Sequence, residues 1–360
     1  MLTIVGPYPT KENERDGMVR RVAKIDECFQ GEKRQYLAMS FRGPFFKRKK
    51  VNDDLTVYWM NFFAFWWYAF ILVMKSQMVY VHSIYNSLNI FPAYLFHKNI
   101  ITDMHGVVVE EIKMNRKHGR LFILIGTAVF RFIEYVAINN STNIICVTNN
   151  MKKYFVNLYH INSDKAKVLP IFDQSDIQEK SVWGKPLRAI YSGGIQPWQC
   201  IDETIQFIKK TAEVLHWTIL SSNPDYFKKR LQDVKFKYGI EIKSVSPDQV
   251  GTYYQNSDLG IVLRDDSIVN RVACPTKLID YLTYGLIPIV KSPQIGDFFD
   301  KGYNYVDIRD DDFEDFKQKS LDSLSSISMK NESILAELTE QAHQSIIWLK
   351  GKVNDKRNAR

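Results

Sequence analysis

The sequence predicts an α/β fold built from two doubly wound, parallel-sheet, Rossmann-like domains, and three observations carry that prediction. Short apolar runs alternate with segments of helical pattern along most of the chain, as strand–crossover–strand units require. The chain begins on such a run, Leu2 to Val5, followed by Gly6-Pro7-Tyr8-Pro9. At 273–290 a loop, a helix, a glycine stop and an apolar run follow one another in the order of one such unit.

A chain of 360 residues has room for two ordinary domains, each with its own core. It is 45% hydrophobic and 24% charged, as a soluble globular chain is. Lys and Arg number 48 against 40 for Asp and Glu, a net charge of +8, which favours anionic partners without choosing among them. The basic residues fall in short separate runs rather than one stripe, which argues against a nucleic-acid partner. Cys28, Cys146, Cys200 and Cys274 have neither metal-ligand nor redox spacing and read as free thiols in a reducing compartment. Met1 enters a strand at once, so no secretory signal is expected and the location is read as cytoplasmic.

In chain order, a polar loop at 10–16 leads into a helix over 17–29 with Gly17 at its start. Lys47-Arg48-Lys49-Lys50 is a basic run beside Phe45 and Phe46. Val57 to Met74 is apolar and aromatic, with Asn61 inside it. A buried sheet-covering helix is the favoured reading. A membrane span is disfavoured by its length, by Asn61 and by the strand that follows at 78–83. A helix lying on a membrane surface is supported by the tryptophans and the nearby cations. A strand at 99–103 ends just before His105, and ligands of open α/β sheets bind at such strand ends. His105 is therefore a candidate hydrogen-bond partner for a ligand hydroxyl, with His82 a second; a structural histidine is the alternative. Lys113, Arg116, Lys117, His118 and Arg120 precede a long apolar helix over 121–138 that carries Arg131 and Glu134, another membrane- or acceptor-facing candidate. A strand at 143–148, a helix at 149–159 and a crossing strand at 167–172 complete a first domain over 1–172. The polar, unpatterned stretch 173–186 reads as a hinge.

The second domain, 187–332, opens with a strand at 187–192, the turn Gly193-Gly194, and a helix at 203–211. Such a turn can cradle phosphate, although the pair is not a dinucleotide fingerprint. Strands at 217–221, 239–244 and 257–263 alternate with helices at 223–234 and 247–256. Asp265-Asp266 reads as a solvated turn. Pro275 suits a first helical turn, Thr276 can accept from a free amide there, and Gly285 stands at a left-handed stop. Lys277, Asp280, Tyr281 and Tyr284 share one helix face. The helix N-terminus with Lys277 is a site for a phosphate, and Asp280 is placed to accept from ribose hydroxyls. The plain alternative is a surface pair worth roughly 0.2–0.5 kcal/mol. A helix at 333–353 puts Leu335, Leu338, Ala342, Ile346 and Leu349 on one stripe, and the basic end 350–360 is expected to fray.

The run Pro275-Thr276-Lys277-Leu278-Ile279-Asp280-Tyr281, ending Gly285-Leu286-Ile287-Pro288-Ile289-Val290, resembles the donor-nucleotide segment of family 4 glycosyltransferases. In that family the stretch reads Ser-Pro-Thr-Lys, two apolar residues, Glu-Tyr, then Gly-x-Pro-Val-Ile. The segment 101–111, with His105-Gly106, resembles the family's inter-domain segment, and 187–202 resembles its Tyr-x-Gly turn. The resemblance implies a GT-B fold with an inter-domain cleft and a retaining, metal-independent transferase. It implies no cofactor beyond the nucleotide-diphospho-sugar donor. Asp280 would hold the ribose, and Thr276, Lys277 and Leu278 the diphosphate. Gly17, Gly193 and Gly194 would let backbone approach the donor, and His105 would lie against the transferred sugar. Gln196 and Gln199-Cys200 stand where the family has cations and a glycine, so Arg264 or Arg271 is expected to join Lys277 in supplying charge. Val272 replaces the first of two glutamates. His105 and Lys277 are the catalytic candidates, acting by positioning the donor and stabilising the departing diphosphate. The resemblance also carries helix 333–353 back onto the first domain. The aromatic and basic patches suggest a glycan or lipid-linked acceptor in surface polysaccharide synthesis, with peripheral contact at the inner face of a membrane. Two rivals are a sugar-nucleotide epimerase of similar fold and a catalytically silent nucleotide-sugar-binding scaffold subunit.

Overall fold

The computed structural model describes residues 1–13, 16–42, 45–114, 119–171, 177–178, 180, 182–309 and 321–354. Part of the expected hinge at 173–186, Phe172, the basic residues Arg116, Lys117 and His118, and 355–360 of the expected frayed end lie outside them. The chain divides into two units, one holding the described residues up to 171 and from 341 onward, the other those from 177 to 340.

In the N-terminal unit, β1 (Leu2–Val5), α1 (Gly17–Glu27), β2 (Arg34–Ser40), β3 (Phe46–Lys50), β4 (Leu55–Asn61), α2 (Phe62–Met74) and β5 (Met78–His82) come first. Then follow α3 (Ser83–Ser87), α4 (Ala93–Phe96), β6 (Ile100–Met104), α5 (Val108–Met114), α6 (Arg120–Asn140), β7 (Asn143–Cys146), α7 (Asn149–Tyr159) and β8 (Ala166–Val168). The strands form one sheet in the order β3-β4-β2-β1-β5-β6-β7-β8, parallel except for the antiparallel pair β3–β4. Central strands such as β5 and β6 are buried at every residue, as strands covered on both faces must be.

The C-terminal unit holds β9 (Arg188–Ser192), α8 (Ile201–Lys210), β10 (His216–Leu220), α9 (Pro224–Leu231), β11 (Ile240–Lys243) and α10 (Pro247–Gln255). After them come β12 (Leu259–Val262), α11 (Ile268–Arg271), α12 (Thr276–Thr283), β13 (Ile287–Val290) and β14 (Val306–Asp307). Its sheet, β11-β10-β9-β12-β13-β14, is parallel throughout. Trp217 is fully buried in its core, and the indole N–H donates to Thr211 Oγ1 at 3.2 Å, so the large ring leaves no polar atom stranded. The last helix, α13 (Leu321–Asn354), begins in this unit and ends in the other. Asn331 exchanges hydrogen bonds with the backbone of Asn304, and Ser345 Oγ donates to the carbonyl of Val168 at 2.6 Å. The fold class is thus the expected one: two parallel-sheet α/β domains.

Two expectations are corrected, and the basic run, for which no element was expected, is assigned one. The stretch 57–74 is not one helix: its first residues form β4, a central partner of β2 and β3, and only 62–74 is helical. Asn61 marks the break, because its Oδ1 accepts from the amide of Ala64 at 3.1 Å and caps α2. Apolarity alone cannot separate a buried strand from a helix, and the capping residue was the informative one. The basic run 47–50 is the exposed edge strand β3, where cations guard an open edge. Pro275 rather than a first-turn position is the N-cap of α12, and no side chain caps it; Thr276 starts the helix. Gly285 does take a left-handed backbone, φ +68°. Asn61→Ala should lower stability by about 1 kcal/mol, read as a lower urea midpoint with unchanged m.

Candidate active site

In the C-terminal unit the site grows from the carboxyl end of β9. Gly193 leaves the strand with its amide still donating to Leu220 at 2.9 Å. A Cβ at Gly193 would lie 2.7 Å from Lys277 Nζ and 2.9 Å from Gln199 Oε1, so glycine is what lets the lysine reach this turn. Lys277, in the first turn of α12, donates to Gln199 Oε1 at 2.6 Å and sits 4.3 Å from the centroid of the Tyr191 ring. Tyr191 donates to the carbonyl of Gly194 at 2.5 Å and to Gln199 Oε1 at 2.9 Å, holding the turn from below. Burial pushes Lys277 well below the ordinary lysine value, and the charge of Arg264 pushes the same way. A phosphate oxygen bound here would relieve both effects.

Close packing positions α12. The ring of Tyr281 lies over Gly260 of β12, where a Cβ would meet it at 2.2 Å, and its hydroxyl accepts from the amide of Ser192 at 3.1 Å. The helix is thereby seated against β12 with Lys277 at the end of β9. Leu278 is fully buried, so only its backbone is available to a ligand. Thr276 and Asp280 are half-buried, Asp280 one turn beyond Lys277. Arg264, after β12, donates to Asn270 Oδ1 at 3.0 Å and is near enough to act on Lys277. Arg271, the exposed last residue of α11, is held elsewhere, paired through two nitrogens with Asp266 at 2.6 and 2.7 Å. The structure therefore brings Gly193, Gly194, Lys277 and Arg264 together and leaves Arg271 engaged with Asp266.

Gly17 and His105 belong to the N-terminal unit. Gly17 opens α1, whose N-cap Asp16 accepts from the amide of Met18 at 2.8 Å. His105 follows β6 in a polar cluster. Asp103, fully buried, receives Arg21 Nε at 3.0 Å and Nη2 at 2.7 Å, while Arg21 Nη1 donates to the carbonyl of Leu169 at 3.0 Å. His105 Nε2 lies 3.1 Å from Asp103 Oδ2 and 3.2 Å from His82 Nδ1. The carboxylate selects the Nε2–H tautomer of His105, leaving Nδ1 as an acceptor. That nitrogen is buried and has no protein partner among the described residues, so a ligand hydroxyl would complete it. Burial opposes the Asp103 charge, but Arg21 and His105 outweigh it and hold its carboxyl well below the usual range. Burial pushes His82 from 6.5 down to about 4.

Arg21, Asp103, Tyr191 and Gln199 were not legible as site residues. Arg21 and Asp103 meet across 82 positions, and no local spacing announces such a pair. Among the described residues two clusters have metal-ligand composition, His82-Asp103-His105 and Cys200-Glu203-Asp265. In the first, Arg21 already neutralises the carboxylate; in the second, Lys291 Nζ bridges Glu203 at 2.8 Å and Asp265 at 2.6 Å. The carboxylates of both clusters are thus already paired with side-chain cations.

Two predictions follow from this geometry. Gly193→Ala should displace Lys277 from Gln199 and weaken any phosphate ligand about tenfold, measured by calorimetric titration with a nucleoside diphosphate. Because His82 has a folded value below its unfolded one, its contribution to stability is complete above 6.5 and is lost as pH falls toward about 4. Glu134, whose carboxyl burial pushes up to about 7, acts in the opposite direction over the same range, so the His82 part is read as the difference in urea stability between the protein and His82→Asn, expected to change by about 2 kcal/mol between about pH 7 and pH 5.

No protein-family profile matches the sequence, and neither does any curated protein. Solved structures match its fold over nearly the whole length. HepE of Anabaena, in complex with UDP and glucose, superposes with a TM-score of 0.67 at 9% identity, covering 98% of this chain and 100% of that one. An Escherichia coli structure described as trehalose-6-phosphate bound with UDP-2-fluoro glucose gives 0.63 at 11% identity, covering 97% and 99%. The UDP-forming α,α-trehalose-phosphate synthase of Burkholderia xenovorans, in complex with glucose-6-phosphate, gives 0.63 at 11%, covering 98% and 99%. The fold of this chain is GT-B.

Proposed function

We propose that the protein is a retaining, metal-independent glycosyltransferase of family 4. It would move a sugar from a nucleotide-diphospho-sugar to a glycan or lipid-linked acceptor in surface polysaccharide synthesis, at the cytoplasmic face of a membrane. The observation that carries this reading is the half-buried Lys277, drawn into the Gly193 turn beside Arg264 at the carboxyl ends of parallel strands. Strand ends of this kind take ligands, and two neighbouring cations in a half-dry turn favour a polyanion. The structural neighbours HepE and the trehalose-phosphate synthase were solved with UDP and glucose or with a sugar phosphate, which makes a UDP-sugar the first donor to try. In this reading α12 presents its first-turn amides and Lys277 to the diphosphate, Asp280 accepts from the ribose hydroxyls, and His105 Nδ1 accepts from a hydroxyl of the sugar. Charge grows on the departing diphosphate as the glycosidic bond breaks, and Lys277 with Arg264 would hold it.

The silent-scaffold reading keeps one observation in its favour: Val272, buried and apolar, stands where the resembling family carries a carboxylate. The two readings separate experimentally. Thermal shift and calorimetry with UDP, GDP, ADP, CMP and dTDP should show one of them binding. Lys277→Ala should weaken it about tenfold or more, the worth of a charge-assisted hydrogen bond. Asp280→Ala should weaken the nucleoside diphosphate and leave inorganic pyrophosphate unaffected. Unchanged affinity in Lys277→Ala would end the phosphate assignment. Binding of a nucleotide-sugar without its hydrolysis or transfer to any acceptor would favour the scaffold.

A further inference from the structure

The N-terminal unit carries an apolar surface that its own fold does not use. Helix α6 is long and apolar enough to cross a membrane by length and composition. It is nonetheless fixed along one side of the unit. Ile133, Glu134, Ala137 and Ile138 face inward and are buried. Arg131 Nη2 donates to Glu110 Oε1 of α5 at 2.6 Å and Nη1 to Glu134 at 3.1 Å, and Tyr159 of α7 donates to Glu134 at 2.5 Å. Pulling α6 out to span a bilayer would break this buried network and strand its charges. The opposite side of α6, where a soluble helix normally shows charge, shows Leu121, Phe122, Leu124, Ile125 and Phe132, with Leu121 70% exposed.

The surface continues beyond α6. Phe91, just before α4, packs on Phe132 of α6 with ring centroids 5.5 Å apart, and Leu95 and Phe96 of α4 are exposed beside them. Helix α4 also touches α2, which exposes Trp67 and Phe63, the latter 76% exposed. Phe65 of α2 meets Phe46 of the basic strand β3 at 5.0 Å, so the apolar face runs into Arg48 and Lys50, which share the Phe46 side of that strand, while Lys47 and Lys49 lie on its other side. Beside β3 the turn into β4 carries Asp53 and Asp54, the first paired with Lys50 at 2.6 Å; from residue 55 onward charge is one-sided. Between residues 55 and 163 the acids are Asp103, Glu110, Glu111 and Glu134. Asp103 and Glu134 are buried against arginines, and Glu110 is paired with Lys113 and Arg131. Lys75, Lys98 and Arg120 are exposed at the ends of α2, α4 and α6.

We propose that the α2–α4–α6 face is a docking surface that lies in the interface of a bilayer rich in anionic lipid, with β3 against the head groups. Apolar side chains enter the acyl boundary while the flanking cations meet phosphate, and neither term alone gives stable attachment. A second copy of this chain would bring the same cations face to face, which is why the bilayer is the occupant. The proposal extends the acceptor-side reading above and is independent of the donor site.

The test is co-sedimentation of the full chain with phosphatidylglycerol–phosphatidylcholine vesicles and with pure phosphatidylcholine, at low and high salt. Binding should be at least tenfold stronger to the anionic vesicles and fall with salt. Leu121→Glu/Leu124→Glu should abolish binding while nucleotide affinity and far-ultraviolet dichroism stay as in the wild type. Arg48→Glu/Lys50→Glu, which leaves the exposed apolar residues of α2, α4 and α6 in place, should remove the preference for anionic lipid. A wild type that stays in the supernatant with every vesicle overturns the proposal. So does a dimer that Leu121→Glu/Leu124→Glu dissociates, or membrane-bound protein that resists alkaline carbonate as a spanning helix does. Loss of nucleotide binding with vesicle binding intact would count against the donor site alone.

Discussion

The pairing of the buried carboxylate of Asp103 with Arg21 organises the sheet end of the N-terminal unit. Asp103 is removed from water at the end of β6, and such a charge persists only if opposite charge and donors surround it. Arg21 supplies both from α1 and spends its remaining nitrogen on the carbonyl of Leu169, where the chain leaves the sheet. Helix α1, the ends of β5 and β6 and the exit of β8 are therefore pinned to one point. The histidines share that constraint: His105 is oriented by the carboxylate, and His82 behind it is kept neutral. A ring held this way presents its remaining nitrogen in a fixed direction without side-chain entropy still to be lost.

The C-terminal unit reaches a similar end by subtraction of side chains. Gly260 lets Tyr281 lie on the sheet, and Gly193 lets Lys277 enter the turn after β9. The ammonium there faces a neutral amide and an aromatic ring rather than a carboxylate. Its charge is thus incompletely compensated, which is the condition for binding an anion strongly. A carboxylate in place of Gln199 would satisfy the lysine and remove the reason for a ligand to bind.

Much of this was legible in the sequence. The α12–Gly285–β13 unit has a glycine stop, a face of polar residues and an apolar strand, all local signals. The alternation of runs gave the second sheet nearly strand for strand. What escaped has a common cause. Strand β3 is all basic and aromatic, so no apolar period marks it, and β4 merged with α2 because both are apolar. The partners that orient the candidate residues, Arg21 for His105 and Gln199 for Lys277, are distant in sequence. Gln199 stood out only as a departure from the resembling family; its role as the acceptor for Lys277 required coordinates. Helix α6 was read as membrane- or acceptor-facing, but which of its apolar sides stays exposed required coordinates, since periodicity cannot say which apolar face a fold will cover.

Helix α13 has one more effect, on the order in which the protein can be completed during synthesis. The residues of the C-terminal unit are all made before residue 341, yet the N-terminal unit takes its last helical piece from beyond that point. Leu349 is fully buried, and Ser345 closes on the carbonyl of Val168. The domain that emerges first from the ribosome is therefore the domain finished last, and it must wait with an open flank while some 170 residues are added.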